Sequence, residues 1–292
     1  MEQLKQQPEK DLSRHLPQSE NEWLATKSFH VENVVLDGRS IRCAFSPGRE
    51  GSQLVTMVGG IPRDPERRKN LPLINKLYGH LALKLSKVNE SSVMYNQPAT
   101  GGSLGDWNEE TLATRTKVVE GISRHFSEKI KSNNVALIGT SAGAYMALRS
   151  VESLNKEDLF VKKVVLISPG FYPASAETLP YGETFKKIVS NPWDVRLSPF
   201  FSTLEDFLKK GGEVLITFFE SDDPPIPLHM QEYARDFARS SREGGGKIEV
   251  FTIPRVGHNF RIIGSQEGKN TVDNQSIRDT ASLVASFLSK EK

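Results

Sequence analysis

The sequence predicts an α/β fold in which a mostly parallel sheet of eight strands is covered by helices on both faces. Three observations lead there. Short, continuous apolar runs recur along the chain, as strands buried on both sides require. Between them lie segments with an apolar residue every three or four positions, the signature of amphipathic helices. Ahead of this alternation, two strand-like segments flank Asp37-Gly38, a pair suited to a hairpin turn.

Residues 1–27 are rich in Gln, Glu, Lys and Ser and read as a flexible N-terminal arm, so a single folded domain is expected over 28–292. Segments 29–36 and 41–45 supply the hairpin strands, and 53–58 a third strand that ends at Gly59-Gly60. Leu71, Ile74, Leu77, Tyr78, Leu81 and Leu85 then repeat at helical spacing. A fourth strand at 92–95 precedes a helix marked by Val118, Val119, Ile122, Phe126 and Ile130. The fifth strand, 135–138, runs into a helix expected from Ala142 to about Val151. The sixth, 164–167, is followed by a looser stretch at 170–200 carrying Pro, Tyr, Trp and Phe. A short helix at 204–210 leads to the seventh strand, 214–219, and Met230, Tyr233, Ala234, Phe237 and Ala238 mark the next helix. The eighth strand spans 248–253, and Ile277, Ala281, Val284 and Leu288 line the last helix. Strands that alternate with helices are joined in parallel.

A chain of 292 residues suffices for one full-sized core. Its 38 basic and 36 acidic residues nearly cancel, which gives no reason to expect nucleic acid or an acidic membrane as a partner. One cysteine excludes an intramolecular disulfide, and with only six histidines it argues against a structural metal site, so neither metal nor cofactor is expected. Cys43 sits in the apolar run 41–45 and reads as a buried thiol. Residues 1–20 lack the apolar core of a signal peptide and no run is long enough to span a bilayer, so the expected location is cytoplasmic.

The sharpest local feature is Gly139-Thr140-Ser141-Ala142-Gly143. Alone it is common, but here it lies where a strand turns into a helix, the one context in which such a turn lifts a serine above a sheet. A serine needs a base to take its proton. His258 follows the last strand, so it should share with Ser141 the rim formed by the strands' C-terminal ends. His229, which opens a helix, is the second choice, while His15, His30, His80 and His125 fall in the arm, a strand and helices. An acid is then needed to orient the imidazole, and the loop after the seventh strand offers Glu220, Asp222 and Asp223. Oxyanion stabilisation calls for two backbone N–H groups, one from Ala142 and one from the loop Gly59-Gly60-Ile61-Pro62. Gly101-Gly102-Ser103-Leu104-Gly105 lacks the spacing of a nucleotide-binding fingerprint.

From about residue 28 to 290 the chain resembles the α/β-hydrolase superfamily, in its element order, its serine turn and the order Ser141, acid, His258. In that superfamily the acid commonly stands four residues before a proline in a Gly-x-x-Asp-x-x-Val-Pro-like stretch. Asp223 stands so before Pro227, and the resemblance therefore implies Asp223, with Asp222 as the alternative. Glu220 replaces the usual glycine of that stretch, and Val58 the frequent histidine after the third strand. With Val58-Gly59 in place of histidine-glycine, Gly60 is implied as the second oxyanion donor. The stretch 170–200 would be a short cap, with Ile61, Phe171, Tyr172, Phe185, Trp193, Phe200 and Phe201 as candidates for an acyl pocket. Plain core packing is the competing reading of the aromatic residues. The implied activity is hydrolysis of a small-molecule ester, thioester or amide through an acyl-serine, a carboxylic ester first among these. A serine peptidase, an acyltransferase and a binding protein with a vestigial site remain open on the same residues.

Overall fold

The sheet is built by alternation. Along β5 (Asn134–Thr140), Val135 and Leu137 enter one core cluster while Ala136 and Ile138 enter the other. Along β6 (Phe160–Ile167), Val164 and Leu166 face one way and Val165 and Ile167 the other. Continuous apolar runs are thus what a strand covered on both faces needs, because successive side chains point to opposite sides.

The computed structural model describes residues 20–26, 28–62, 64–222, 226–262 and 272–290. The other strands are β1 (His30–Leu36), β2 (Arg39–Ser46), β3 (Leu54–Val58), β4 (Ser91–Tyr95), β7 (Glu213–Ser221), β8 (Lys247–Gly257) and β9 (Arg261–Ile262). Their order is β1-β2-β4-β3-β5-β6-β7-β8-β9. From β4 to β8 all pairs are parallel; β1, β2 and β9 join antiparallel. The eight expected strands are present, and the two-residue β9 folds back on β8 as an addition. Because β3 lies between β4 and β5, connections leave in opposite directions there, and the strands' C-terminal ends open a crevice.

One face carries α4 (Leu112–Ile130), α5 (Ala142–Lys156), α7 (Pro199–Lys209) and α8 (Leu228–Glu243). The other carries α1 (Glu20–Ala25), α3 (Lys76–Lys87) and α9 (Asn274–Ser289). Short helices α2 (Pro65–Lys69) and α6 (Glu183–Ser190) complete the set among the described residues. Helix α3 begins later than its apolar spacing predicts, because Asn75 caps it by accepting a 2.9 Å bond from the Tyr78 N–H. Helix α7 begins earlier, with Ser198 as cap and Pro199 in the first turn.

The expected arm is corrected at its C-terminal part. Residues 1–19 lie outside the described residues, but α1 is a formed helix whose Trp23 is 1% exposed. Its indole meets His80 and Phe29 edge-on and lies so close to Gly79 that a β-carbon there would sit 2.7 Å away. Segment 170–200 contains α6 and two single-turn helices, Ala174–Ala176 and Val195–Leu197. No helix of the described residues is long and apolar enough to cross a membrane.

Candidate active site

Ser141 stands between β5 and α5 with φ 53° and ψ −124°, a conformation that costs a non-glycine residue energy and persists only where the surroundings enforce it. They do. Its N–H donates to the Ile167 carbonyl at 2.9 Å, and its own carbonyl accepts from Ala144 and Gly170, each at 3.0 Å. The two glycines of the turn make room for the neighbouring backbone. A β-carbon on Gly139 would lie 2.3 Å from the Ala144 α-carbon, and one on Gly143 would lie 2.1 Å from the Val58 carbonyl oxygen. The turn therefore presses the first turn of α5 against the end of β3 and leaves Ser141 on the crevice.

His258 begins a single 3-10 turn after β8 and faces the same crevice. Its Nδ1 lies 2.7 Å from Oδ1 of Asp222, which is 1% exposed. A carboxylate can only accept, so Nδ1 carries the ring proton and Nε2 is left with a lone pair, as a general base requires. The second carboxylate oxygen accepts from the Phe219 N–H at 2.8 Å. The ring is also met edge-on by Phe219, 6.1 Å between centroids.

The carboxylate bonded to His258 is that of Asp222, the alternative of the sequence reading. Asp223, the residue implied by the proline spacing, lies outside the described residues. The reason is local. Strand β7 continues to Ser221, which pairs with Gly257 across an irregularity after Phe219, so the first residue beyond the strand is 222. Glu220 helps to fix this, since its carboxylate accepts from the Arg255 N–H in β8.

One participant was missed. Ser168 follows β6, has φ 46° and is 1% exposed. Its hydroxyl donates to Asp222 Oδ1 at 2.7 Å and lies 3.0 Å from His258 Nδ1, so Ser168, His258 and Asp222 form one hydrogen-bonded network. It touches the nitrogen that faces the acid. The sole hint in the sequence is a serine at the C-terminal end of a strand neighbouring the acid's strand.

The crevice encloses about 660 Å³ and includes Gly60, Ile61, Ser141, Ser168 and His258. Ile61 is thus on its wall. Phe171, Tyr172, Phe185 and Trp193 are not among its lining residues; Phe171, Tyr172, Phe185, Phe200 and Phe201 pack against one another or against Tyr145 and Tyr181, and Trp193 packs on the same core cluster. The apolar wall comes instead from the connection after β3, the end of β4, α3 and α9, through Leu71, Leu73, Tyr95, Leu77 and Ile277. His229 is exposed on α8 and lies outside the crevice.

The oxyanion side also differs. The Gly60 N–H donates to the Thr140 hydroxyl at 3.2 Å. The next amide, that of Ile61, makes no hydrogen bond among the described residues, and Ala142 offers the N–H of the first residue of α5. The amide of Gly60, the donor implied by the sequence, is thus engaged by Thr140. Among the described residues no group of three His, Cys, Asp or Glu side chains is placed to hold a metal ion.

No family model matches the chain, and no curated protein does. Solved structures match over nearly all of it. Est1E from Butyrivibrio proteoclasticus, solved with ferulic acid bound, superposes with a TM-score of 0.60 at 15% identity, covering 88% of this chain and 97% of the other. A putative hydrolase from Agrobacterium vitis S4 gives 0.56 at 15% identity, over 89% and 98%. Carboxyl esterase 2 from Tuber melanosporum gives 0.55 at 15% identity, over 88% and 86%. The chain has the α/β-hydrolase fold.

Proposed function

We propose that the chain is a serine hydrolase that cleaves small-molecule carboxylic esters through an acyl-serine. The observation that carries the reading is that a strained Ser141 and a His258 hydrogen-bonded to Asp222 line the same crevice. Nε2 of His258 takes the Ser141 proton as Oγ attacks the ester carbonyl carbon. The oxyanion forms beside the amides of Ala142 and Ile61. His258 then gives its proton to the leaving alcohol, and the same cycle with water releases the acid and restores Ser141. The apolar wall suits an apolar acyl or aryl group, and the volume suits a small ester. The likeness to Est1E, which binds ferulic acid, supports esters of aryl acids as first substrates.

The test separates the two serines. Fluorophosphonate should label Ser141 and leave Ser168 unmodified, as mass spectrometry of the labelled peptide will show. Ser141→Ala should lower hydrolysis of a short activated ester by about a thousand-fold or more. A variant that turns over like wild type, or label found on Ser168, refutes the assignment.

A further inference from the structure

The loop that would hold the oxyanion is tied down by a closed ring of hydrogen bonds. Strand β3 ends at Val58, paired with Gly139 of β5, so the exit of β3 runs beside the approach to Ser141. From α3, on one face of the sheet, the buried Tyr78 hydroxyl donates to the Val58 carbonyl at 2.8 Å. It also lies 3.1 Å from the Thr140 hydroxyl, and that oxygen accepts from the Gly60 N–H at 3.2 Å.

The direction of the ring follows from counting protons. The phenol has one, burial pushes its pKa up and keeps that proton on, and the Val58 carbonyl can only accept. The phenol therefore donates toward the Val58 carbonyl and toward the Thr140 oxygen, and that oxygen also accepts from the Gly60 N–H, so the two loop groups are held by one linked pair of hydroxyls. The ring opens and closes on residues two apart in the same loop.

Its geometric consequence falls on the reaction. A β-carbon on Gly60 would lie 3.1 Å from the Ser141 β-carbon, so the loop passes directly by the nucleophile. With the Gly60 amide bound to Thr140, the following N–H, that of Ile61, is the donor left for the crevice.

We propose that Tyr78 and Thr140 are positioning residues, which hold the Gly59–Ile61 loop in its oxyanion-binding form by taking up the Val58 carbonyl and the Gly60 amide. This rests on the serine-hydrolase reading. Neither side chain touches the reacting atoms; they act by fixing where an N–H lies, and a donor displaced by a fraction of an ångström stabilises the transition state less than a preorganised one.

Thr140→Val keeps shape and removes the hydroxyl, Thr140→Ser restores it, and Tyr78→Phe keeps the ring and removes the phenol oxygen. In the full chain, Thr140→Val and Tyr78→Phe should each lower kcat by about ten- to hundred-fold with KM within about two-fold of wild type, and Thr140→Ser should recover most of the loss. Affinity for an alkylboronic acid, which forms a tetrahedral adduct on the serine, should fall in parallel with kcat. Hydrogen exchange at the Gly60 amide reads the bond itself: slow in wild type and Thr140→Ser, fast in Thr140→Val. A wild-type chain labelled at Ser141, whose Thr140→Val form keeps its kcat or its slow Gly60 exchange, overturns this proposal alone. Equal losses in the Val and Ser variants also overturn it, since the hydroxyl would then be irrelevant. A wild-type chain that is not labelled at Ser141 overturns the hydrolase reading and this proposal together.

Discussion

Asp222 accepts three hydrogen bonds on two oxygens, from His258, Ser168 and the Phe219 amide. A buried carboxylate is tolerated only with partners of this kind, and once they are in place it cannot turn away from the imidazole. Asp222→Asn keeps the volume but presents an amide to Nδ1, which permits the wrong ring tautomer. The expected result is a fall in kcat of about a thousand- to ten-thousand-fold with little change in KM. The same substitution at Asp223 is the control, and steady-state kinetics of both variants decide between them. If the loss follows residue 223, the acid has been misassigned. This pair also marks where the sequence stops being informative. Gly139-Thr140-Ser141-Ala142-Gly143 announces a strand-to-helix turn because its glycines are needed for backbone clearance, a requirement visible in residue types. Which aspartate bonds the imidazole depends on how β7 runs out beside β8, where the Glu220 carboxylate accepts from the Arg255 N–H, and no spacing rule contains that contact.

At the scale of the element, Lys163 shows how one strand residue can secure a distant helix. Lys163 is a buried residue of β6, and its ammonium donates to the carbonyls of Phe287, Leu288 and Lys290, at 3.0, 3.0 and 2.6 Å. These carbonyls lie at the C-terminus of α9, where backbone acceptors lack helical partners and the helix dipole favours a cation. Because α9 supplies Ile277 to the crevice wall, the cap connects helix integrity to the site. Lys163→Met should keep the aliphatic packing and lose the charge, lowering stability by about 1–3 kcal/mol in urea unfolding. A variant as stable as wild type would show that the carbonyls find other partners at no cost. Periodicity in the sequence located α9 well, as it did α4 and α8, since each has a broad apolar face. It gave no sign of α1, α2 and α6. These are short, and α1 is held by one indole rather than a stripe. The aromatic residues of 170–200 misled in a related way: composition gives their chemistry but not the side of the sheet on which they pack.

For the whole molecule, the face that carries α1, α3 and α9 holds an acid-sensitive point. His80 is buried on α3, edge-on to Trp23 at 5.6 Å, and its pKa is pushed down to about 4, first by burial and then by the positive charges of Arg278, Lys84 and Lys76. In the unfolded chain the imidazole returns to about 6.5. Above that pH neither state holds the proton and His80 has no influence on stability. Between about 6.5 and 4 the unfolded state binds a proton that the folded state refuses, so stability falls as pH falls, and below about 4 the loss is complete. The proton enters where α1 docks, so its effect should be felt by the seam that joins α1 and α9 to the rest of the fold. His80→Leu removes the titrating group and keeps an apolar contact for the indole. Other groups also titrate in this range, which is why the difference between the two proteins is the quantity to read. From pH 7 to pH 4.5 the urea midpoint of wild type should drop further than that of His80→Leu, with Trp23 fluorescence reporting the same transition. Parallel curves for the two proteins would mean that the folded chain accepts the proton after all, and that α1 does not shield His80 from water.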